Sequence, residues 1–589
     1  MANAVIFENE EFYKPGGYAK FKLVKQGSVA VDVATMIIIG ESLGGIPYSA
    51  SDKTEKEILD GMTFNNVNDV ENKVREGDLL DGADLAFTPT NDPNLIGTRR
   101  VILIRVNQAT RSTIDLKGNL IDNMRVWSRD YGKHTNRTAI QVDQVTDPVT
   151  GVTGAVITVY KDSAIQVSPE LYKPLMEIQY VGAELNANLT FVSAQGALKV
   201  NNGTIDFIDI LASDYPTIGE LANYLEANDF TVTILDSAYE TAKLDDINVP
   251  MDIKTTAKYV SATFEYQLRW LDLISEFTEA SQITATLKKP LDTLSKVFLT
   301  GGTETVPVLQ DWIDAIVLAE KVEAFYQIEL SGILSISQLN KNSVISSNNI
   351  KSRRERNGGS GNGDYVGTTK SQRQQEAKDL GNSFYIYGAS PFDRVNRKGV
   401  LTTYEPKFLP CLSLGINSGN GPTTASTFKA LNVIGNPEGK YSDSEIDAFI
   451  KAGCQIIQNN ELTGNPQIVR SVTTYQGSNL IASEQSMIAT ALAVTKDFRI
   501  QLENTFVGQT PGGGTSGSKD IIGLATAKAI ELLDGYVISG YFSGNEIQSA
   551  YSNLEVVIKG DSIFIKVDGT ITPVINFIFG LFNLSTLGL

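Results

Sequence analysis

The sequence predicts a multidomain chain of mixed α/β (α+β) class, on three observations. Short, continuously apolar runs flanked by helical periodicity occur early and again past residue 291, as in a parallel sheet covered on both faces. Residues 143–290 instead alternate apolar and polar between Gly, Asn and Asp, as antiparallel strands do. From Ile468 to Leu589 two long helical patterns flank a Gly-rich break, and two apolar strand-like runs follow. At 589 residues the chain is too long for one hydrophobic core, so two to four domains are expected.

Composition narrows the function classes. Hydrophobic content of 42% and charged content of 20% are those of a folded protein. A net charge of −18 argues against nucleic acid or an anionic membrane surface as the main partner. It suits a chain that packs against basic patches. The first residues have neither a basic nor an apolar signal region, so no secretory leader is expected. No stretch reaches the roughly 20 apolar residues of a bilayer span, so no membrane insertion is expected. The Asn-x-Ser/Thr triplets at Asn136, Asn188, Asn202 and Asn583 carry no weight without a leader. Cys411 and Cys454 lie far apart in no metal-like spacing and read as two reduced, structural thiols. The single histidine, His134, sits in the polar stretch RDYGKHTNRT and is expected on the solvated surface. A His-rich zinc site or a pair of catalytic histidines is therefore impossible, and a Ser-His-Asp triad would have to use His134.

Taken in order, residues 1–27 read as an arm. After a Pro-Gly-Gly turn, Tyr18, Lys20 and Lys22 alternate with Ala19, Phe21 and Leu23, which predicts a strand with one apolar face. Such a strand is ordered only if something pairs with it. Residues 28–142 begin an α/β domain. Met36 to Ile39 and Val101 to Val106 are buried strands, and between them Val67, Val70, Val74, Leu79 and Leu80 mark a helical face. The Gly40, Gly44, Gly45 cluster lacks the G-x-G-x-x-G spacing of a nucleotide fold.

Residues 143–290 are expected to form an inserted, mostly β domain. One helix interrupts it, with capping-box spacing from Thr217 to Glu220 and Ile218, Leu221 and Leu225 on one face. The α/β pattern resumes over residues 291–440, with a Gly301-Gly302 turn, a helix carrying Trp312, Ile313 and Ile316, and a strand from Phe325 to Ile328. The basic, Gly-rich stretch KSRRERNGGSGNGDYVGTTKSQRQQEAK is expected to be a mobile surface loop, since no aromatic stacking platform accompanies its charges. NSFYIYGAS reads as a strand and PKFLPCLSLGINSGN as a buried segment.

In the C-terminal block, PGGGTSGSKD departs from a P-loop because Ser518 separates Gly517 from Lys519, and it lies between two helices. It reads as a flexible connector with Ser518 as helix N-cap. The final run crowds Val574, Ile575, Phe577, Phe579, Leu581 and Phe582 into eleven residues with Ile578 and Leu584. Burying half of its apolar side chains would gain roughly 6–12 kcal/mol gross, before the cost of ordering them. It is either the last strand of the chain's own sheet or a strand added to a neighbour's sheet.

Several segments together resemble contractile phage tail sheath proteins: KPGGY near the start, MIIIGESLGGIP, GDLLDGADLAF with RRVILIRV, LTGGTE before the Trp312 helix, and IVRSVTTYQGS. The helix ending LENTFVGQ follows, then KDIIGLATAKAIELLDGYVISGY and LEVVIKGDSIFIKVDGTITPV. Their order spans nearly the whole chain. The match is poor at 143–290 and in the weak helical pattern at 335–350.

The resemblance implies a structural subunit, not an enzyme, with no cofactor. It implies homo-hexameric rings stacked helically around a tail tube, with the tube protein, baseplate and tail terminator proteins as partners. The location implied is a virion tail assembled in the host bacterial cytoplasm. A conserved inner domain at 441–570 would face the tube, and the arms at 1–27 and 571–589 would add strands to neighbours. Phe12, Tyr18, Phe21 and Leu23 would be the contact residues of the first arm, and the apolar residues from Val574 to Phe582 those of the second. The sheath would assemble extended and shorten on a baseplate trigger. Lys496, Arg499, Lys519 and Lys528 lie on the two C-terminal helices of an acidic chain and are candidates for contacting the tube. The sheath of a phage-derived device, such as an R-type bacteriocin or secretion apparatus, is an alternative, as is a virion surface or adhesin protein. An α/β enzyme would have to work with His134 or with paired carboxylates.

Overall fold

A computed structural model describes residues 5–7, 10–12, 32–146, 153–168, 174–192, 194–261, 268–284, 291–507, 521–559 and 562–576. Its centre is a seven-stranded sheet ordered Cys454–Gln455, Tyr385–Gly388, Asn357–Gly361, Tyr326–Glu329, Thr35–Gly40, Arg100–Arg105, Thr63–Phe64. All neighbours are parallel except the last pair. The two apolar strands read from the sequence lie side by side, Met36 opposite Val101 and Ile39 opposite Ile104. Both faces are covered, which is why these strands carry no polar alternation. Met36, Ile38, Val101 and Leu103 share one core with helices Asp78–Phe87 and Leu409–Asn420. Ile37, Ile39, Ile102 and Ile104 face the other way, onto Trp312, Ala315, Ile316 and Ala319 of helix Leu309–Glu320.

The expected single helical face over 67–80 is two helices, Val67–Val74 and Asp78–Phe87. Arg75 at φ 73° and Gly77 at φ 109° turn the chain between them.

The basic, Gly-rich stretch is not a surface loop. Asn357–Gly361 is an interior strand of the sheet, buried at every position. Its glycines permit close approach: a Cβ on Gly361 would sit 2.4 Å from the Pro406 carbonyl oxygen, and one on Gly358 would sit 2.6 Å from Val344. Arg356, fully buried, donates to the carbonyls of Ala319 (3.1 Å), Val322 (2.5 Å) and Ala324 (3.3 Å) around the end of helix Leu309–Glu320. Its charge thereby lies against the carbonyl end of the helix dipole and the turn that follows it. Burial pulls its pKa down to about 10, which leaves it charged at neutral pH.

The weak helical pattern at 335–350 is a real helix, Leu334–Ser347, whose buried face is polar. Asn340 accepts from Gln327 (2.6 Å) and donates to the Tyr385 hydroxyl (2.9 Å). Its inward residues Ser337, Asn340, Ser343 and Ser347 hide the apolar period that would announce it.

Two β cores grow from this body. One joins a three-stranded sheet (Thr278–Gln282, Ile121–Ser128, Thr113–Gly118) to a four-stranded one (Ala164–Val167, Thr153–Lys161, Thr138–Thr146, Leu294–Phe298) over Leu116, Val126, Ile140, Ile157 and Trp270. Strand Thr138–Thr146 crosses residue 143, so this core draws on chain from both sides of that expected boundary. The second core lies within residues 174–261 and is antiparallel throughout. Its helix, Ile218–Glu226, starts where the Thr217 side chain accepts from the Glu220 amide, and buries Ile218, Leu221 and Leu225.

His134 is not on the solvated surface. Its side chain is only 4% exposed, and its Nε2 lies 2.8 Å from Asp130 Oδ2. Burial would raise the Asp130 carboxyl, but the bond to His134 and the charges of Lys73 and Lys161 hold it well below the usual range. Cys411 and Cys454 are both buried and free, and burial pushes both thiols up.

Candidate assembly surfaces

The C-terminal block hangs on one helix, Gln485–Phe506. A short turn of helix, Leu480–Ser483, leads into it, capped by the Asn479 side chain, which accepts from the amides of Ile481 and Ala482. The first half of the long helix belongs to the main core through Ile488, Ala489, Leu492 and Ala493. The second half carries a separate small core, where Val494 and Phe498 pack against Leu533, Tyr536 and Phe542. Helix Ile521–Ile538 buries Ala525, Ala529, Leu533 and Tyr536, a stripe at helical spacing. Ile522, Leu524, Ile530 and Ile538 on the same helix are each more than a third exposed.

The apolar run at 554–571 folds back on itself. Tyr551–Lys559 pairs antiparallel with Ser562–Gly569, Val556 opposite Ile565. The chain then returns to the small core, with Thr572 N donating to Tyr541 O and Ser543 N to Thr570 O, each at 3.0 Å. Further on, Asn576 Nδ2 donates to Glu484 Oε1 at 3.1 Å. Glu484 is buried at the start of the long helix, and Arg470 Nε donates to the same oxygen at 2.8 Å. Burial raises the Glu484 carboxyl despite the opposing pull of Arg470 and Asn576.

The candidate tube-facing cations are engaged within the chain. Lys496 is buried, its Nζ 2.5 Å from Glu323 Oε1. Its aliphatic stem lies inside, and its ammonium meets the exposed Glu323 carboxylate at the edge. Arg499, one turn on, holds Glu355 through Nε at 3.1 Å and NH2 at 2.8 Å, with Glu503 at 3.5 Å. Lys528 lies 3.0 Å from Glu531 on its own helix. The structure thus brings Lys496 and Arg499 together on the face toward the α/β body, and Lys528 apart from them. Lys519 lies outside the described residues.

Of the arm residues, Phe12 ends strand Glu10–Phe12, which pairs antiparallel with Val5–Phe7. Val574 is half-buried and Ile575 is 81% exposed. Tyr18, Phe21, Leu23, Phe577, Phe579, Leu581 and Phe582 lie outside the described residues, as do the expected connector and its Ser518 cap. Asp497, Tyr536, Arg470 and Glu484 organise the block and were not singled out by sequence. The one available signal was an acid, Asp497, four residues after the buried Ala493 on the same helix.

Among the described residues no group of His, Cys, Asp and Glu could hold a metal ion, and no helix is long and apolar enough to cross a membrane.

No family model matches the sequence, and no curated protein does. Solved structures do match. A sheath tail protein from Listeria innocua aligns over 92% of this chain and 96% of its own, with a TM-score of 0.52 at 11% identity. A sheath tail protein from Desulfitobacterium hafniense aligns over 92% and 93%, with a TM-score of 0.52 at 10% identity. The contracted helical sheath of the anti-feeding prophage aligns over 48% of this chain and 78% of its own, with a TM-score of 0.36 at 13% identity. The chain has the multidomain α/β fold of sheath tail proteins.

Proposed function

We propose that this chain is the structural subunit of a contractile tail sheath, polymerising with itself around a tail tube. The observation that carries the reading is the likeness in fold to sheath tail proteins over more than nine-tenths of both chains. In this reading the subunits form stacked hexameric rings, dock on a baseplate and a tail terminator, and shorten to drive the tube through a host envelope. The chain works as a virion component, assembled in the host bacterial cytoplasm, and not as an enzyme.

The C-terminal block supports the arrangement physically. A small core on the far half of one helix carries a hairpin and an apolar stretch beyond it. Main-chain pairing between such strands and a neighbour's sheet would keep subunits linked while rigid bodies rotate. No nucleotide is needed where the energy resides in contacts made only after contraction. The same assembly in a phage-derived device uses the same parts.

Sedimentation of the purified chain over a range of concentrations tests the proposal. Particles many times the 63.9 kDa monomer, growing with concentration, are expected. A monomer at every concentration would count against it.

A further inference from the structure

A cleft of about 500 Å³ opens between the seven-stranded sheet and the first β core. Its floor is chain leaving the carboxyl ends of two adjacent parallel strands. Ser49 to Asp52 follow Thr35–Gly40, and Gln108 to Arg111 follow Arg100–Arg105. Open α/β sheets hold ligands at the carboxyl ends of their strands. The volume falls within the range of small-molecule sites, which runs from about 300 to 1,000 Å³.

The wall is held in place before any ligand arrives. The Arg111 guanidinium lies 5.4 Å from the Trp127 ring centroid and 5.5 Å from that of Tyr131. It bridges Asp52, at 3.1 Å, and Glu279. The Tyr131 hydroxyl donates to both oxygens of Asp52, at 2.9 and 2.8 Å. The Asp52 side chain is still 39% exposed, so it can accept further hydrogen bonds at the mouth.

The chemistry of the lining selects a ligand class. Arg111 is the one cation in the lining, and its side chain is 9% exposed and held between two carboxylates, so it is not free to grip a phosphate. Six of its thirteen lining residues are Ser or Thr, set beside the half-buried indole of Trp127. Hydroxyl-rich walls with a flat aromatic surface suit a ligand that has many hydroxyls on its rim and C–H groups on its face.

We propose that this cleft binds an uncharged saccharide unit. Its hydroxyls donate to Asp52, and its C–H face lies against the wall formed by Trp127. The site is independent of the sheath reading.

Titration of the full chain with the methyl glycosides of glucose, galactose and N-acetylglucosamine tests this. Trp127 is the half-buried tryptophan, while Trp270 and Trp312 are buried, so ligand in the cleft should change tryptophan emission through Trp127. A saturable change with at least one sugar is expected, together with saturation transfer to that sugar in NMR. Asp52→Asn should weaken the affinity about tenfold, the loss of a hydrogen bond to a charged group. Ser51→Trp, at an exposed position on the rim, should abolish binding by filling the cleft, with the thermal midpoint unchanged. No saturable response to any of the three sugars would overturn the proposal. So would a response that both variants leave intact, or one that inorganic phosphate reproduces.

Discussion

Tyr536 donates a hydrogen bond of 2.9 Å to Asp497, and both residues are buried where the two long C-terminal helices meet. Among the described residues the small core around them holds three large buried apolar side chains, Leu533, Tyr536 and Phe542. At about 1.5–3 kcal/mol for each large side chain, that core is a thin support for a hairpin and a helix, so one polar bond matters. Tyr536→Phe removes one of the hydrogen bonds that the buried Asp497 carboxylate accepts. It should destabilise the block by about 1–3 kcal/mol. Hydrogen exchange should rise in residues 521–571 and not in the seven-stranded sheet.

The glycine strand is equally exposed to test. Gly361→Ala would push a methyl group to 2.4 Å from the Pro406 carbonyl oxygen and 2.8 Å from that of Gly388, both backbone atoms that cannot step aside. The cost should be about 1–3 kcal/mol or more, read as a lower midpoint in denaturant. Gly399→Ala has nothing within 4 Å of its new carbon but sits at φ 75°, so it should cost about 1 kcal/mol.

These glycines also show what the sequence could and could not convey. Met36 to Ile39 and Val101 to Val106 were legible as buried strands because burial on both faces leaves a continuous apolar run. Asn357–Gly361 was not, because its burial comes from close backbone packing, with almost no side chain to read. Likewise Arg356 looked like one charge in a basic loop, while its partners are carbonyls of a helix end, which carry no sequence signature. His134 looked solvated among polar neighbours, yet Asp130, four residues back, holds it inside. The order of the C-terminal helices was plain. The direction in which their cations point was not, since Glu323 and Glu355 lie more than 140 residues away in the chain.

That placement yields a sharp contrast at Lys496. Its buried stem and ion pair with Glu323 predict that Lys496→Ala costs about 1–3 kcal/mol of folding stability. Glu323→Gln should cost less than about 1 kcal/mol, because Glu323 itself is 63% exposed and screened. Thermal unfolding of the isolated chain measures both. A residue used only to touch a tube would leave the isolated chain's stability unchanged.

Alkaline pH should unfold the protein sharply. Burial pushes the phenols of Tyr326, Tyr385 and Tyr387 well above their usual value of 10. Each holds its proton more tightly folded than unfolded. Its contribution is therefore complete below pH 10 and is lost as pH rises through the folded value. Stability measured against pH should be flat through neutrality on this account and fall steeply above 10. Tyr385→Phe should make that fall shallower.

Electron microscopy of negatively stained protein tests self-assembly through the chain's ends most directly. The full chain at high concentration would be compared with a truncation ending at Thr570. Striated tubes or rings from the full chain, with a folded monomer from the truncation, are the predicted result. Compact monomers from both, or identical tubes from both, would contradict it.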